Sequence, residues 1–376
     1  MRVRQGIAVA VAAFVLSFAS VATALGHDPS VRTVVSGLDN PRGVDVGPAG
    51  SVFIAEAGSG GSGGFGTSGR IAVWWRGHLV TVVGKLPSAV SPEGDVTGPT
   101  NVAVSGLGRL VYAIGGGPQN VDKRFDTVRR WPFDRTLADI QAYRNAHPDT
   151  TDIDQPPNPT DSNAYGLTLV GGGVLVTDAA GNELDLIRNN GRVVTVAKFP
   201  NEVIPTSAVG DPSLPPALPA EAVPTSVAVG PDGYWYVGEL KGFPFAPGTS
   251  RVWRIAPWAR NVVCDPAATH GACTVYADGF TSITGLDFGP DGSLYVVEIV
   301  KNGVNGLFSG TDVTGALIRY KNGAMTDISD GQLTLPGDVA VTRGGAIYVT
   351  NKSVCSTAPG GPPPCAGGGE LVRVSP

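Results

Sequence analysis

Histidine and cysteine are both scarce in this chain, with four of each among 376 residues, and only 16% of the residues are charged. Basic residues do not outnumber acidic ones: 27 Lys and Arg are interspersed with 32 Asp and Glu, for a net charge of −5. Without a basic face the chain has no electrostatic footprint for nucleic acid. After residue 26 no apolar run reaches the roughly 20 residues that a membrane-spanning helix needs. The one long apolar stretch, from about Ile7 to Val21, follows Arg2 and Arg4 and precedes the small-residue pattern Ala22-Thr23-Ala24. That order predicts a secretory signal peptide over residues 1–26 and places the mature protein outside the cell or in the cell envelope. An uncleaved anchor is the rival reading, and the run is short for it.

The cysteines fall in two local pairs, Cys264 with Cys273 and Cys355 with Cys365. In an exported chain, an even count in close pairs reads as two disulfides, each closing a loop. A zinc site would need other spacing, since neither pair is C-x-x-C and only His270 is close by. What is plentiful is glycine, 53 residues, and proline, 31. With so few charges this composition predicts many short strands joined by turns.

Periodicity organises the rest. The segments GVDVGPAGSVFIAE, NVAVSGLGRLVYAI, GLTLVGGGVLVTD, SVAVGPDGYWYVGE, GLDFGPDGSLYVVE and DVAVTRGGAIYVTN start at Gly43, Asn101, Gly166, Ser226, Gly285 and Asp338. Each is a strand of alternating apolar residues, a glycine turn and a second strand. A further strand or two follows each, as in GRIAVWWRG with LVTVVGKL. Six copies of a four-strand unit of about 55 to 65 residues predict an all-β, six-bladed β-propeller over residues 27–376. The chain stops at a third-strand motif, ELVRVSP, while VRTVVSGL at Val31 to Leu38 matches the fourth strands. The amino-terminal strand therefore completes the last blade and removes an open edge, so that one chain folds by itself; a monomer is expected, though ring closure alone leaves the oligomeric state open. Two inserts depart from the repeat. DRTLADIQAYRNAHP predicts a short surface helix with Asp134 as its N-cap, and VGDPSLPPALPAEAVP reads as proline-rich covering loop.

The second strands end in Glu56, Ile114, Asp178, Glu239, Glu298 and Asn351. Antiparallel pairing puts these ends on the same face as the starts of the first strands, where Arg42, Thr100, Tyr165, Thr225, Thr284 and Gly337 stand nearer the axis. Four acids ringed on one face suit a cation, calcium above all, or a polyol at the channel mouth. The competing reading makes them acceptors for buried loop amides. After Glu239 the loop KGFPFAPG carries Phe243 and Phe245, which form either a hydrophobic rim for a ligand or a plug against a neighbouring blade. The candidate ligand-binding set is thus Arg42, Glu56, Tyr165, Asp178, Glu239, Phe243, Glu298 and Asn351. The partner is a small molecule, a glycan or a protein. GSGGSG from Gly58 matches a phosphate-loop pattern, but it leads into a strand where a phosphate cradle needs a helix.

NPRGVDVGPAGSVFIAEAGSGG, SNAYGLTLVGGGVLVTDAAGNELDLI, VPTSVAVGPDGYWYVGELKGFPFAPGTSRVWRI and FTSITGLDFGPDGSLYVVEI resemble the ScyD/ScyE family. That family is named for proteins encoded beside the genes for the pigment scytonemin, and it is common among exported bacterial proteins. The resemblance spans nearly the whole mature chain. It implies an NHL-like propeller in the envelope or outside the cell, with no catalytic residues to carry over. Calcium-dependent lactonases place an acid or amide just before their first strands, where this chain has Arg42, Thr100, Tyr165, Thr225 and Thr284. Streptogramin and peptidylglycine lyases and quinone-dependent sugar dehydrogenases use channel histidines, whereas His27, His78, His147 and His270 fall in termini or outer loops. The leading expectation is a binding module without established catalysis. The alternative is a divergent metal-dependent lactonase or sugar-oxidoreductase-like enzyme.

Overall fold

The computed structural model describes residues 29–92, 94–308, 310–358 and 365–376. The expected signal peptide lies outside the described residues. Six sheets are arranged as blades, antiparallel except where Val262–Val263 adds in parallel to the outer strand of blade three, and their first two strands are the repeated segments. Blade one opens with Pro41–Val46 and Val52–Glu56, blade two with Pro99–Val104 and Leu110–Ile114, and blade three with Ala164–Val170 and Gly173–Asp178. Blade four opens with Pro224–Val229 and Trp235–Glu239, blade five with Ile283–Phe288 and Leu294–Glu298, and blade six with Val339–Val341 and Ile347–Asn351. The ring closes as the repeat predicts: Ser30–Leu38 pairs antiparallel with Gly369–Ser375 and becomes the outer strand of blade six.

Alternation along each strand sends side chains to the two sheet faces, and the core is therefore a set of clusters between neighbouring blades. Between blades three and four, Leu175, Leu184 and Leu186 meet Val237, Trp253 and Ile255. Threonines lock the blades together near the axis. Thr100 donates to the carbonyl of Ala164, Thr225 to Ile283, Thr284 to Pro336 and Thr350 to Arg42, each oxygen reaching into another blade.

Both disulfides are present, Cys264–Cys273 with Cα atoms 5.3 Å apart and Cys355–Cys365 at 4.9 Å. The two inserts differ from expectation. Arg135–Asp139 is a strand, and helix α1 begins only at Ile140, ending at Ala146. Its N-cap is Asp139, whose carboxylate accepts from Ala142 N at 2.9 Å, while Asp134 turns to Arg129 and Tyr112. The helix is docked through Ile140 and Arg144, both fully buried. The proline-rich insert contains a ribbon, Glu202–Pro205 paired with Ala217–Ala220; prolines fit there because a two-stranded ribbon leaves many N–H positions unpaired.

Candidate functional site

The strand-end acids share one face, as the repeat requires, but they turn inward. Glu56 is fully buried and accepts from Arg70 Nε at 2.7 Å and from Asp39 N at 2.9 Å. Asp178 takes Arg144 Nη2, Asn163 N and Gly181 N, each at 2.9 Å. Glu239 sits between Lys241 at 2.8 Å, Arg251 at 3.2 Å and the indole N–H of Trp253 at 3.1 Å. Asn351 accepts from Thr334 N at 2.8 Å. Glu298 accepts from Thr281 N at 2.8 Å, and no ion pair with it is formed among the described residues. In blades one, three, five and six the bonded N–H belongs to the chain entering the same blade, so one side chain pins the entry loop to the strand end. Burial pushes the pKa of each of these acids up, offset by the bonds just named, and Glu298 reaches about 7.

The structure does not gather these acids into a calcium site. Among the described residues no three acidic, histidine or cysteine side chains form a metal-holding group. Arg42 reaches the carbonyl of Val96 at 3.0 Å and is half-buried, as is Tyr165. The Phe243–Phe245 loop divides the two roles considered for it. Pro244 is buried and its carbonyl accepts from Asn305 of blade five at 2.9 Å, whereas Phe243 stays 44% exposed, edge-on to Phe245 at 5.9 Å.

The first strands themselves build a different site. They enclose a cavity of about 200 Å³ on the axis, lined from all six blades, with Asp45, Asn101, Thr168, Ser226, Asp287 and Asp338 as its polar groups. The cavity follows an alternation between odd and even blades. Blades one, three and five begin with Gly43, Gly166 and Gly285, and two residues later carry Asp45, Thr168 and Asp287; blades two, four and six begin with Asn101, Ser226 and Asp338, followed by Ala103, Ala228 and Ala340. The glycines are required by close approach. A Cβ at Gly43 would lie 2.6 Å from Asn101 Cα, at Gly166 2.7 Å from Ser226 Cα, and at Gly285 2.5 Å from Asp338 Oδ1. We therefore expect Gly285→Ala to cost about 1–3 kcal/mol by overpacking, read as a lower urea midpoint. An unchanged midpoint would mean that the inner strands yield.

Each channel acid also satisfies an inner strand edge. Asp45 accepts from Val46 N at 2.7 Å and Val104 N at 2.6 Å. Asp287 takes Phe288 N and Val341 N, both at 2.7 Å, and Asp338 takes Val339 N at 2.8 Å and Val44 N at 3.1 Å. Asn101 donates to Asp338 Oδ2 at 3.3 Å. Burial raises these carboxyls more than the backbone bonds lower them, and repulsion among the three contributes to Asp287 and Asp338. Asp45 is pushed to about 6, and Asp287 and Asp338 to about 7. Ser226, 3% exposed, has a hydroxyl with no hydrogen-bond partner. Among the described residues no histidine lines the cavity; His78, His147 and His270 are exposed on the outside. The repeat segments contain this whole set, and aligning them by blade parity is the signal that would have found it.

No protein-family model and no curated protein matches the chain. Solved structures similar to it include the PQQ-bound aldose sugar dehydrogenase of Streptomyces coelicolor, 13% identical, with a TM-score of 0.53 over 93% of this chain and 98% of that one. Regucalcin of Agrobacterium tumefaciens, a calcium-binding protein, is 10% identical, with a TM-score of 0.52 over 92% and 93%. At these identities the likeness is one of fold, and the chain has the propeller architecture.

Proposed function

We propose that the protein is an exported propeller of the ScyD/ScyE type that binds a small polyhydroxylated molecule in its central channel. The observation that carries this reading is the axial cavity whose wall takes carboxyl, carboxamide and hydroxyl residues from the six blades. Carboxyls that titrate near neutrality serve as donors when protonated and acceptors when ionised, which suits a polyol over a simple anion. The volume equals that of about six waters, so the ligand is of sugar size or smaller.

Thr168→Val separates binding from folding. It keeps the volume of a half-buried cavity-lining side chain and removes its hydroxyl, so the melting temperature of the free protein should hold while the rise produced by the bound polyol is lost. A panel of polyols, monosaccharides and aldonolactones read by thermal shift tests this; no shift with any of them, or a shift kept in the variant, sinks the reading. The enzymatic alternative draws on the carboxyl pKa values near 7, the range suited to proton transfer. Turnover of an aldonolactone that disappears in Asp287→Asn would favour it.

A further inference from the structure

We infer that the turn side of the ring, opposite the strand-end face, docks onto an anionic lipid bilayer. In a four-stranded antiparallel blade the first-to-second and third-to-fourth turns lie on the same side. The contacts agree: Arg109 in one such turn donates to Asn189 in the next blade's at 3.3 Å, and Trp258 packs edge-on to Tyr234 at 5.6 Å. These turns carry large apolar tips. Leu107 is 99% exposed, Phe133 81% and Trp258 67%, with Trp75 and Trp131 also on the surface. Turn geometry does not demand them. Phe133 even holds a φ of 76°, where glycine or asparagine sits at less cost.

Cations surround these tips. Arg76, Arg135, Arg188, Arg192, Arg260 and Arg343 are all exposed, and none is in an ion pair among the described residues. The guanidinium of Arg76 lies 4.4 Å from the Trp75 ring centre and that of Arg135 5.7 Å from Phe133. The acids within the turns are paired: Asp134 with Arg129, Asp232 with Arg254, and Asp291 with Arg319 and Lys321, while Asp45 and Asp287 stand at the channel mouth that the inner turns border. A chain of net charge −5 thus presents a rim of unpaired arginines on this side, while the strand-end acids lie opposite. There Asp154 and Asp149 help burial raise Glu221 to about 7.

Exposed arginines complement anionic headgroups, and Trp, Phe and Leu at the same level suit the headgroup–acyl boundary. A polyanionic glycan would match the charge but would gain little from Leu107, whose side chain is wholly apolar and 99% exposed. The bilayer accounts for both features.

Co-sedimentation of the exported protein with vesicles tests the inference. Binding is expected to phosphatidylcholine vesicles containing about one-third phosphatidylglycerol and not to phosphatidylcholine alone, and it should fall in about 0.5 M NaCl. Leu107→Ser with Phe133→Ser, and separately Arg76→Glu with Arg260→Glu, should each weaken it by about tenfold or more. All four positions are exposed, so melting temperatures should not change. Failure to sediment, or equal binding by both variants, overturns the inference. Loss in the arginine variant alone, with alginate competing as well as vesicles do, would assign the surface to a polyanion instead.

Discussion

Arg144→Met is expected to destabilise the protein by about 3–5 kcal/mol, because removing one partner of a buried ion pair strands the other. Arg144 is fully buried and holds two carboxylates, Asp178 at 2.9 Å and Glu183 at 3.3 Å, while donating to the carbonyl of His147 at 3.1 Å. Asp185, fully buried in the same cluster, is pushed well above the ordinary carboxyl range by burial, then by Glu183 and Asp178. Without the guanidinium, two further carboxylates join Asp185 in search of protons. Lys198 still reaches Glu183 at 2.8 Å, but Asp178 is left with backbone donors only. Arg144→Lys should recover part of the loss, since an ammonium lacks the planar fork that spans two acids. Urea denaturation of the three proteins at pH 7 measures this. A methionine variant as stable as the parent would mean that the acids take up protons at little cost.

Stability is expected to rise as the pH falls from 8 toward 5. Asp45 is raised to about 6, and Asp287, Asp338, Glu298 and Glu221 to about 7, in every case chiefly by burial. For a carboxyl whose folded pKa lies above its unfolded one, the native state binds more protons between the two values. Its contribution is complete below the unfolded pKa, near 4, and is lost as the pH rises through the folded value. Each such group adds a slope of up to about 1.4 kcal/mol per pH unit within that window, with less from the partly exposed ones. Melting temperature scanned from pH 5 to 8 should therefore decline. Asp287→Asn should flatten the decline, because the amide keeps one acceptor and cannot ionise. Stability that increases across the window would show that the channel admits enough water to keep these acids ionised.

Much of the architecture was legible in the residues because it rests on local rules. Turn glycines such as Gly50, Gly108 and Gly233, all at positive φ, mark where each hairpin reverses. Alternating apolar residues mark the blade faces, and the match of Val31–Leu38 to the other fourth strands identified the closing strand. The disulfides join cysteines only 9 and 10 positions apart, so proximity was nearly assured. The N-cap of α1 was misplaced by five positions, from Asp134 to Asp139, because strand pairing with Thr127–Arg130 overrode the helical spacing of Leu137.

The direction of each carboxylate was decided by tertiary structure alone. Glu56, Asp178 and Glu239 stand at the predicted face, yet each meets a cation whose position depends on another strand, a helix or a ribbon: Arg70, Arg144, and Lys241 with Arg251. Repeat position places a side chain at the axis, whereas its partners come from packing between segments far apart in the chain. Asp338 and Val44, 294 residues apart, meet only when the ring closes. By itself the sequence determined that six hairpins form a closed ring. Only the folded ring decided that its strand-end acids are anchors and that its axial aspartates, brought together from blades far apart in the chain, have their carboxyls raised toward neutrality as Glu298 does.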